Sequence, residues 1–549
     1  VSGVAVGLLA AAGAVAWLLL LARITVVSAR MFQIEEYEGD RLRDWGGTRA
    51  WLMHRSVVVA AAPTVAGAVV AALASSSWGR AAAAGGWLIG AAAAQLIWSW
   101  LPPKKELVLT PRMRRLLATA GLLAGIAAAA AAFDIAAAPA PIAGVLAVAL
   151  TAGVTLLGMA VLTVANSLNR PVEARVRRGF LRQARRRMDA VSPLVIAVAG
   201  SYGKTSTKHV LAHLLEQYGP TLATPKSFNT LMGVSRTIND VLEDRHRTFL
   251  VEMDAYAPGE IASICALVRP SHALITSVGP QHLERFGSLE RIEDALYETL
   301  DALPADGFGV VYAGDPATAA LAERARSAGR RVVRYGIAGD AADLDVVADA
   351  VHVTGRGTRF TWRWAAEGLS HDVAVPLLGR HQALNVSAAL ATVHRLGLPL
   401  EPALAALSSL RPVDHRLQPV ATGNAITVID DSYNANPVGV HNALEVLAQL
   451  EAGQRILVTP GLVELGAVED EENRRYGEHA ASVCDHVIVV DARPGRALRE
   501  GLRRGGMADA SVHVVRSLAE ATAVIGRIAG AGDAVLFAND LPDTYLGAA

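Results

Sequence analysis

The sequence predicts an α/β protein in three parts: an N-terminal α-helical transmembrane domain, a parallel-sheet domain with a phosphate-binding loop (P-loop), and a smaller Rossmann-like domain. Three observations carry this reading. Hydrophobicity is concentrated in the first third of the 549 residues. Residues 194–206 read LVIAVAGSYGKTS: an apolar run, a glycine-bearing loop and a segment of helical character, in that order. From about residue 192, apolar strand candidates alternate with helical stretches, as in a mostly parallel sheet with helices on both faces.

The length calls for about two to four domains. A formal net charge of +0 gives no nucleic-acid signal, so no nucleic-acid partner is expected. The positive mean hydropathy, +0.32, needs a local cause. Cys265 and Cys484 are the only cysteines, which leaves no disulfide framework or cysteine metal cluster and fits a reducing, cytosolic environment. The first segment lacks a basic n-region and further apolar segments follow it, so no cleavable signal peptide is expected.

The local cause lies in five uncharged stretches, 1–22, 56–79, 81–103, 116–133 and 135–169. Each is near or above the roughly 20 residues that a spanning helix needs. Five spans are expected, near 3–25, 56–76, 81–101, 115–133 and 141–165, within a transmembrane domain at 1–169. For 116–133, short and alanine-rich, a buried soluble helix is the competing reading. Arg23, Arg30, Arg41, Arg43, Arg49 and Arg55 surround the first loop, and Lys104, Lys105, Arg112, Arg114 and Arg115 the third. Arg80 stands alone in the second loop and the fourth has no basic residue. Positive loops stay inside, so the N-terminus is expected outside and everything after the fifth helix in the cytoplasm, as a multi-pass inner-membrane protein. Residues 170–191 place Arg175, Arg177, Arg178, Arg182, Arg185, Arg186 and Arg187 around Val176, Phe180 and Leu181. They read either as a basic amphipathic helix on the anionic inner leaflet or as a solvated linker.

A central domain is expected at 192–412, with strands at Val195–Ala199, Phe249–Glu252, Ala273–Thr276, Gly309–Tyr312 and the alternating Arg359–Trp364. A C-terminal domain at 413–549 would hold strands at Ile426–Ile429, Arg455–Val458, His486–Val490, Val512–Val515 and Ala534–Phe537. In the phosphate loop, Gly200 and Gly203 leave room for the backbone to approach phosphate oxygens, with Ser201 and Ser206 beside them. Lys204 would reach the β/γ-phosphates and the Thr205 hydroxyl would hold Mg²⁺. ATP and Mg²⁺ are therefore the expected cofactors; the bland reading is a glycine turn beside a surface lysine.

Four further clusters follow. Phe249–Asp254 is a strand ending in acids, placed for a metal beside a phosphate loop. Ile275–Glu284 carries His282 after a strand, with Phe286-Gly287-Ser288 behind it; a lone histidine there is more often structural. Gly379–Ala389 contains His381 and Asn385. Asp430–Pro437 reads DDSYNANP, where a strand ends in acids and a proline can open a helix.

Together with Gly259–Ile261 (GEI), HLERFGS at 282–288 and VELG at 463–466, these motifs resemble the Mur ligase family, the ATP-dependent amide ligases of cell-wall peptide assembly. Within it they are most similar to the branch that adds D-alanyl-D-alanine. The resemblance spans roughly residues 192–545 and is specific in its combination and order. It implies that Lys204, Glu252 and His282 serve catalysis, with Thr205, Glu252 and His282 near the metal. Asn385 resembles the family's adenine-contacting asparagine, with His381 nearby, and Arg416 the arginine that meets ATP from the third domain. Asp431 would sit on that side, so that domain closure completes the site. Asn229 and Thr230, and Tyr433, Asn434 and Asn436 of the DDSYNANP motif, resemble residues facing the substrates.

The implied chemistry suits these residue types. Phosphoryl transfer from ATP to a carboxylate gives an acyl phosphate; an amine then attacks, and a tetrahedral intermediate collapses to amide and phosphate. Positioning and charge neutralisation dominate such a reaction. The expected partners are a carboxylate-bearing acceptor such as a cell-wall precursor, an amino acid or dipeptide amine, and the lipid bilayer.

Three departures stand out. The family usually has a carbamylated lysine for a second Mg²⁺ where Leu296 stands, with Glu293, Asp294 and Glu298 as the candidate substitutes. A membrane domain stands where soluble members grip the UDP-sugar. Asn539-Asp540-Leu541-Pro542 stands where a lysine-containing loop is common. The alternatives are a polymer ligase of the poly-γ-glutamate type and a catalytically weak regulatory or scaffold protein. An ATP-driven transporter is disfavoured by the few ionisable groups within the spans.

Overall fold

The computed structural model describes residues 2–34, 37, 42, 51–74, 77–96, 107–225, 228–279, 286–420, 426–433, 436–463, 465–490 and 495–539. The chain divides into two compact units, residues 1–178 and 179–541.

The first unit is helical, as its uncharged runs dictate. Helices cover Gly3–Ile34, Trp51–Leu73, Ser77–Leu96, Pro111–Ala137 and Ala140–Ala152, and Val154–Val191 begins here. Trp17 and Trp87 are fully buried with ring centroids 6.0 Å apart, and the Trp17 indole N–H donates to the Leu150 carbonyl at 3.1 Å. Among the described residues, Gly3–Ile34 and Pro111–Ala137 are long and apolar enough to cross a membrane. The fifth expected span is broken: Ala140–Ala152 and Val154–Val191 meet at Gly153 with a bend of 68°, and only as a pair are they both long and apolar enough to span. Val57–Leu73 is apolar but shorter.

The second unit holds two sheets. Strand β1 is Leu194–Ala199, β2 Thr221–Ala223, β3 Thr248–Glu252, β4 His272–Ile275, β5 Phe308–Tyr312, β6 Arg331–Ile337, β7 Val346–Thr354, β8 Gly357–Trp364 and β9 Leu369–Val375. They form one sheet in the order β2-β3-β1-β4-β5-β6-β7-β8-β9, parallel through β7 and antiparallel from β7 to β9. In β8 the alternation expected of RFTWRW holds: Phe360, Trp362 and Trp364 are buried while Arg359 and Arg363 are exposed. The end of helix Val154–Val191 belongs to this core, because Ala184 and Met188 are buried among residues of β1, β3 and helix Glu260–Val268.

The second sheet comprises β10 (Gln418–Val420), β11 (Thr427–Asp431), β12 (Arg455–Thr459), β13 (His486–Val490), β14 (Val512–Val515) and β15 (Ala534–Ala538). Its order is β10-β11-β15-β12-β13-β14, with only β10 antiparallel. In both sheets the loops at the C-terminal ends of parallel strands are where open α/β folds place ligands.

Candidate functional site

Strand β1 is buried from Val195 to Ala199 and hands the chain to Gly200 at its C-terminal end. Gly200 has φ +136°, and a Cβ there would lie 2.1 Å from Thr276 Oγ1. Gly203, at φ +84°, caps helix Lys204–Leu215. Neither position suits a side chain. The loop therefore turns tightly and aims the first turn of a helix at the space beyond the sheet. Ser201 stitches the loop down, its hydroxyl pairing with Gly279 N–H at 3.0 Å and the Gly279 carbonyl at 3.1 Å.

Lys204 is 6% exposed; its Nζ donates to the Gly200 carbonyl at 2.6 Å and the Ser201 carbonyl at 3.2 Å, and lies 3.5 Å from Asp254. Glu252, the last residue of β3, is 2% exposed. Its carboxylate accepts from Lys208 Nζ at 2.8 Å and from Thr205 Oγ1 and Asn229 Nδ2 at 3.2 Å each. Burial pushes the Glu252 pKa up, but Lys208, Lys204 and the Asn229 amide outweigh it and hold the carboxyl below its ordinary range. Asn229 also reaches Asp254 at 3.4 Å.

Thr205 and Glu252 thus offer hard oxygen donors beside the phosphate cradle, a set that fits Mg²⁺. That ion typically takes one or two carboxylates, keeps water and completes its shell with phosphate oxygens. Among the described residues no group of three or more His, Cys, Asp or Glu could hold a metal by itself. His282 and Asn434 lie outside the described residues.

A cavity of about 300 Å³ opens beside the loop. Gly203, Ser206, His381 and Asn385 line one wall, and Arg416, Asp431, Tyr433 and Asn436 the other. The Asn385 amide is fixed at both ends: Oδ1 accepts from Thr207 at 2.9 Å and Nδ2 donates to Gln382 at 3.0 Å. Burial, with Arg416 adding to it, lowers the His381 pKa to about 4, so the ring is neutral at pH 7; its Nδ1 is buried and has no partner among the described residues. Burial pushes the Asp431 carboxyl up to about 7, against the pull of the Leu417 N–H, 3.1 Å away, and of Arg416. The Arg416 guanidinium lies 5.0 Å from the centre of the Tyr433 ring.

Two expected substrate residues also hold the fold. Thr230 accepts from Gly233 N–H at 3.3 Å and caps helix Leu231–Asp240. Asn436 accepts from Gly439 N–H at 2.8 Å and caps helix Pro437–Gln449 while lining the cavity. Leu296 is buried in the core on helix Leu289–Asp301 and cannot bind metal. Two of its suggested substitutes are engaged: Asp294 pairs with Arg324 at 2.8 Å, and Glu298 accepts the Gly259 and Ala262 N–H groups at 2.6 and 2.8 Å. Burial, then Glu290, Asp294 and Asp315, raise the third, Glu293.

Lys208, Tyr312 and Asp340 were not singled out from sequence. Lys208 follows Lys204 by one helical turn, a spacing that puts both on one face. Tyr312 and Asp340 line the cavity from the ends of β5 and β6, with the Tyr312 hydroxyl 3.3 Å from the Asp340 carboxylate; no local spacing joins them.

These two sheets and the cleft between them define a two-domain α/β architecture with a phosphate loop. Residues 198–393 match the Mur ligase middle domain and residues 415–539 the Mur ligase glutamate ligase domain. Through these two domains the chain belongs to the Mur ligase family. It is 36% identical over 297 residues to the UDP-N-acetylmuramoyl-tripeptide–D-alanyl-D-alanine ligase of Escherichia coli (strain K12), covering 54% of this chain and 64% of the relative. It is 35% identical over 318 residues to the ligase of the same name from Mycobacterium tuberculosis (strain ATCC 25618 / H37Rv), covering 56% and 60%. The chain therefore spans less than two thirds of either relative. The crystal structure of MurF from Acinetobacter baumannii matches with a TM-score of 0.59 at 27% identity, over 66% of this chain and 77% of that one.

Proposed function

We propose that this protein is an ATP-dependent acid–amino-acid ligase of peptidoglycan assembly, working through an acyl phosphate. The observation that carries the reading is the convergence of Lys204, Thr205 and Glu252 at the mouth of a glycine loop, beside a cavity that Arg416 and Asp431 complete from the second sheet. The expected acceptor is a muramoyl peptide with a terminal carboxylate, and the expected amine is D-alanyl-D-alanine, by likeness to the named relatives.

Lys204 leaves its loop carbonyls for the phosphates, and the helix N-terminus behind it holds their negative charge. Thr205 and Glu252 would hold Mg²⁺, which would supply charge neutralisation at the phosphoryl oxygens. Asn385 and His381 position the base, and Arg416 approaches from the opposite wall. The acceptor carboxylate takes the γ-phosphoryl group and ADP leaves; the amine nitrogen then bonds the acyl carbon, loses a proton and expels phosphate. Asn229, whose amide reaches Glu252 and Asp254, is proposed to face the acceptor. His282 is proposed as a metal-side residue, and Thr230, Tyr433, Asn434 and Asn436 as substrate-side residues.

The apolar helices directly preceding these domains support a multi-pass membrane location with the ligase domains in the cytoplasm. A lipid-linked acceptor suits that location. ADP release measured with soluble UDP-linked and lipid-linked muramoyl peptides, each with and without D-alanyl-D-alanine, tests the whole reading. Turnover is expected only when carboxylate and amine are both present; ATP hydrolysis indifferent to both would overturn it. Equal use of a purely soluble acceptor would remove the case for a lipid-linked one.

A further inference from the structure

Arg416 reaches the cavity wall from an irregular segment just before β10, and the backbone on both sides of it is strained. His415 has φ +60° and Leu417 φ +44°, the left-handed region that residues with a side chain seldom adopt. Such strain persists only where surrounding groups hold it, and it gathers at functional sites. Here the holding groups lie at the C-terminal end of β11. His415 Nδ1 is 2.7 Å from one oxygen of the Asp430 carboxylate. The other Asp430 oxygen accepts from the Ser432 hydroxyl at 2.6 Å and from its backbone N–H at 3.0 Å. Tyr433 N–H donates to the His415 carbonyl at 3.2 Å, and Leu417 N–H donates to Asp431 at 3.1 Å. The Leu417 side chain is buried in one cluster with Ile429 of β11. Both neighbours of Arg416 are thus tied to the same strand end.

The reaction chemistry has no part for His415, Asp430 or Ser432. Nor does stability account for the pair, because the His415 side chain is 58% exposed and exposed ion pairs contribute little to it. We propose that His415 is a positioning residue: its clasp on Asp430, itself braced by Ser432, holds the strained turn that keeps Arg416 at the cavity wall before nucleotide arrives. Preorganising a contact in this way removes an ordering cost from binding. The proposal rests on the nucleotide reading above, and the test separates the two.

His415→Gly removes the imidazole and frees the backbone together. His415→Asn keeps a donor at the position of Nδ1 and tolerates the left-handed conformation. Full-length protein in detergent, carrying each substitution alone or combined with Arg416→Gln, is titrated with ATP in the presence of Mg²⁺. Thermal unfolding is followed without nucleotide. His415→Gly should weaken ATP binding about three- to tenfold with little change in unfolding temperature, and His415→Asn should restore most of the loss. In the Arg416→Gln background, His415→Gly should add almost nothing, since both changes then remove one contact. An equal loss with and without Arg416 would mark a role that does not run through the arginine and overturn the proposal. So would unchanged affinity in His415→Gly, no rescue by His415→Asn, or a large fall in unfolding temperature. If the unsubstituted protein does not bind ATP, the nucleotide reading falls and the proposal with it.

Discussion

Lys208 and Glu252 form a buried pair 2.8 Å apart in which the lysine also donates to the Thr224 carbonyl at 2.7 Å. Removing one charge strands the other. Lys208→Met should destabilise the fold by about 3–5 kcal/mol, read as the midpoint of denaturant unfolding. Lys204, by contrast, lies at the loop itself. Lys204→Ala should lower ADP formation at least about 10²–10³-fold while helical content and membrane insertion persist; retained turnover would remove the phosphate-loop assignment. Asp431 gives a pH signature. Its carboxyl titrates at about 7 in the folded chain against an ordinary value of 3.8, so between those limits the native state binds more protons than the unfolded one. Stability must then fall as pH rises through that window. Asp431→Asn, which keeps an acceptor for the Leu417 N–H, should be the more stable protein at pH 8 and nearly equal at pH 4. Parallel stability profiles across that range would contradict the assignment.

At the scale of elements, the loop after β1 was fully legible, because its information is local: a buried strand, two glycines and Lys-Thr opening a helix. Gly200→Ala should expose that dependence, costing about 1–3 kcal/mol through the clash with Thr276 and weakening nucleotide affinity, both read by thermal unfolding with and without ATP. The strands that sequence missed had their apolar signal broken. β6 carries Arg334, 8% exposed yet inside a strand, because Asp343 and Glu323 neutralise it. β2 is three residues long, too short for any periodicity. β9 alternates Leu, His, Val and Val with Ser, Asp and Ala at the sheet's antiparallel edge, a weaker pattern than the buried parallel strands present. The broken fifth span was invisible for the opposite reason: hydrophobicity runs unbroken through Gly153, and only the backbone reports the bend. The cavity shows the wider limit of a single sequence. His381 and Asn385 were reached through the resemblance to the Mur ligases, whereas Tyr312, Asp340 and Tyr202 meet through tertiary folding.

For the molecule as a whole, the expected topology makes a physical claim about compartments. If the helices before residue 179 span a bilayer with the ligase domains inside, the protein should resist alkaline carbonate extraction. Protease added to sealed inside-out vesicles should then cut the ligase domains, and these should be protected in right-side-out vesicles. Extraction by carbonate, or cleavage from the outer face, would contradict that topology. The charge pattern behind that expectation was readable because basic loops act as local labels, whereas no local pattern says what the helices do.

The central claim is that bound ATP activates a carboxylate which an amine then captures. The most direct measurement is ADP release by the purified full-length protein with a muramoyl-peptide acceptor, with D-alanyl-D-alanine, and with both. Turnover that needs both, yields an amide product by mass spectrometry and disappears in Lys204→Ala is the expected result. ADP release at the same rate without either substrate, or no release with any acceptor and amine of these classes, would contradict it.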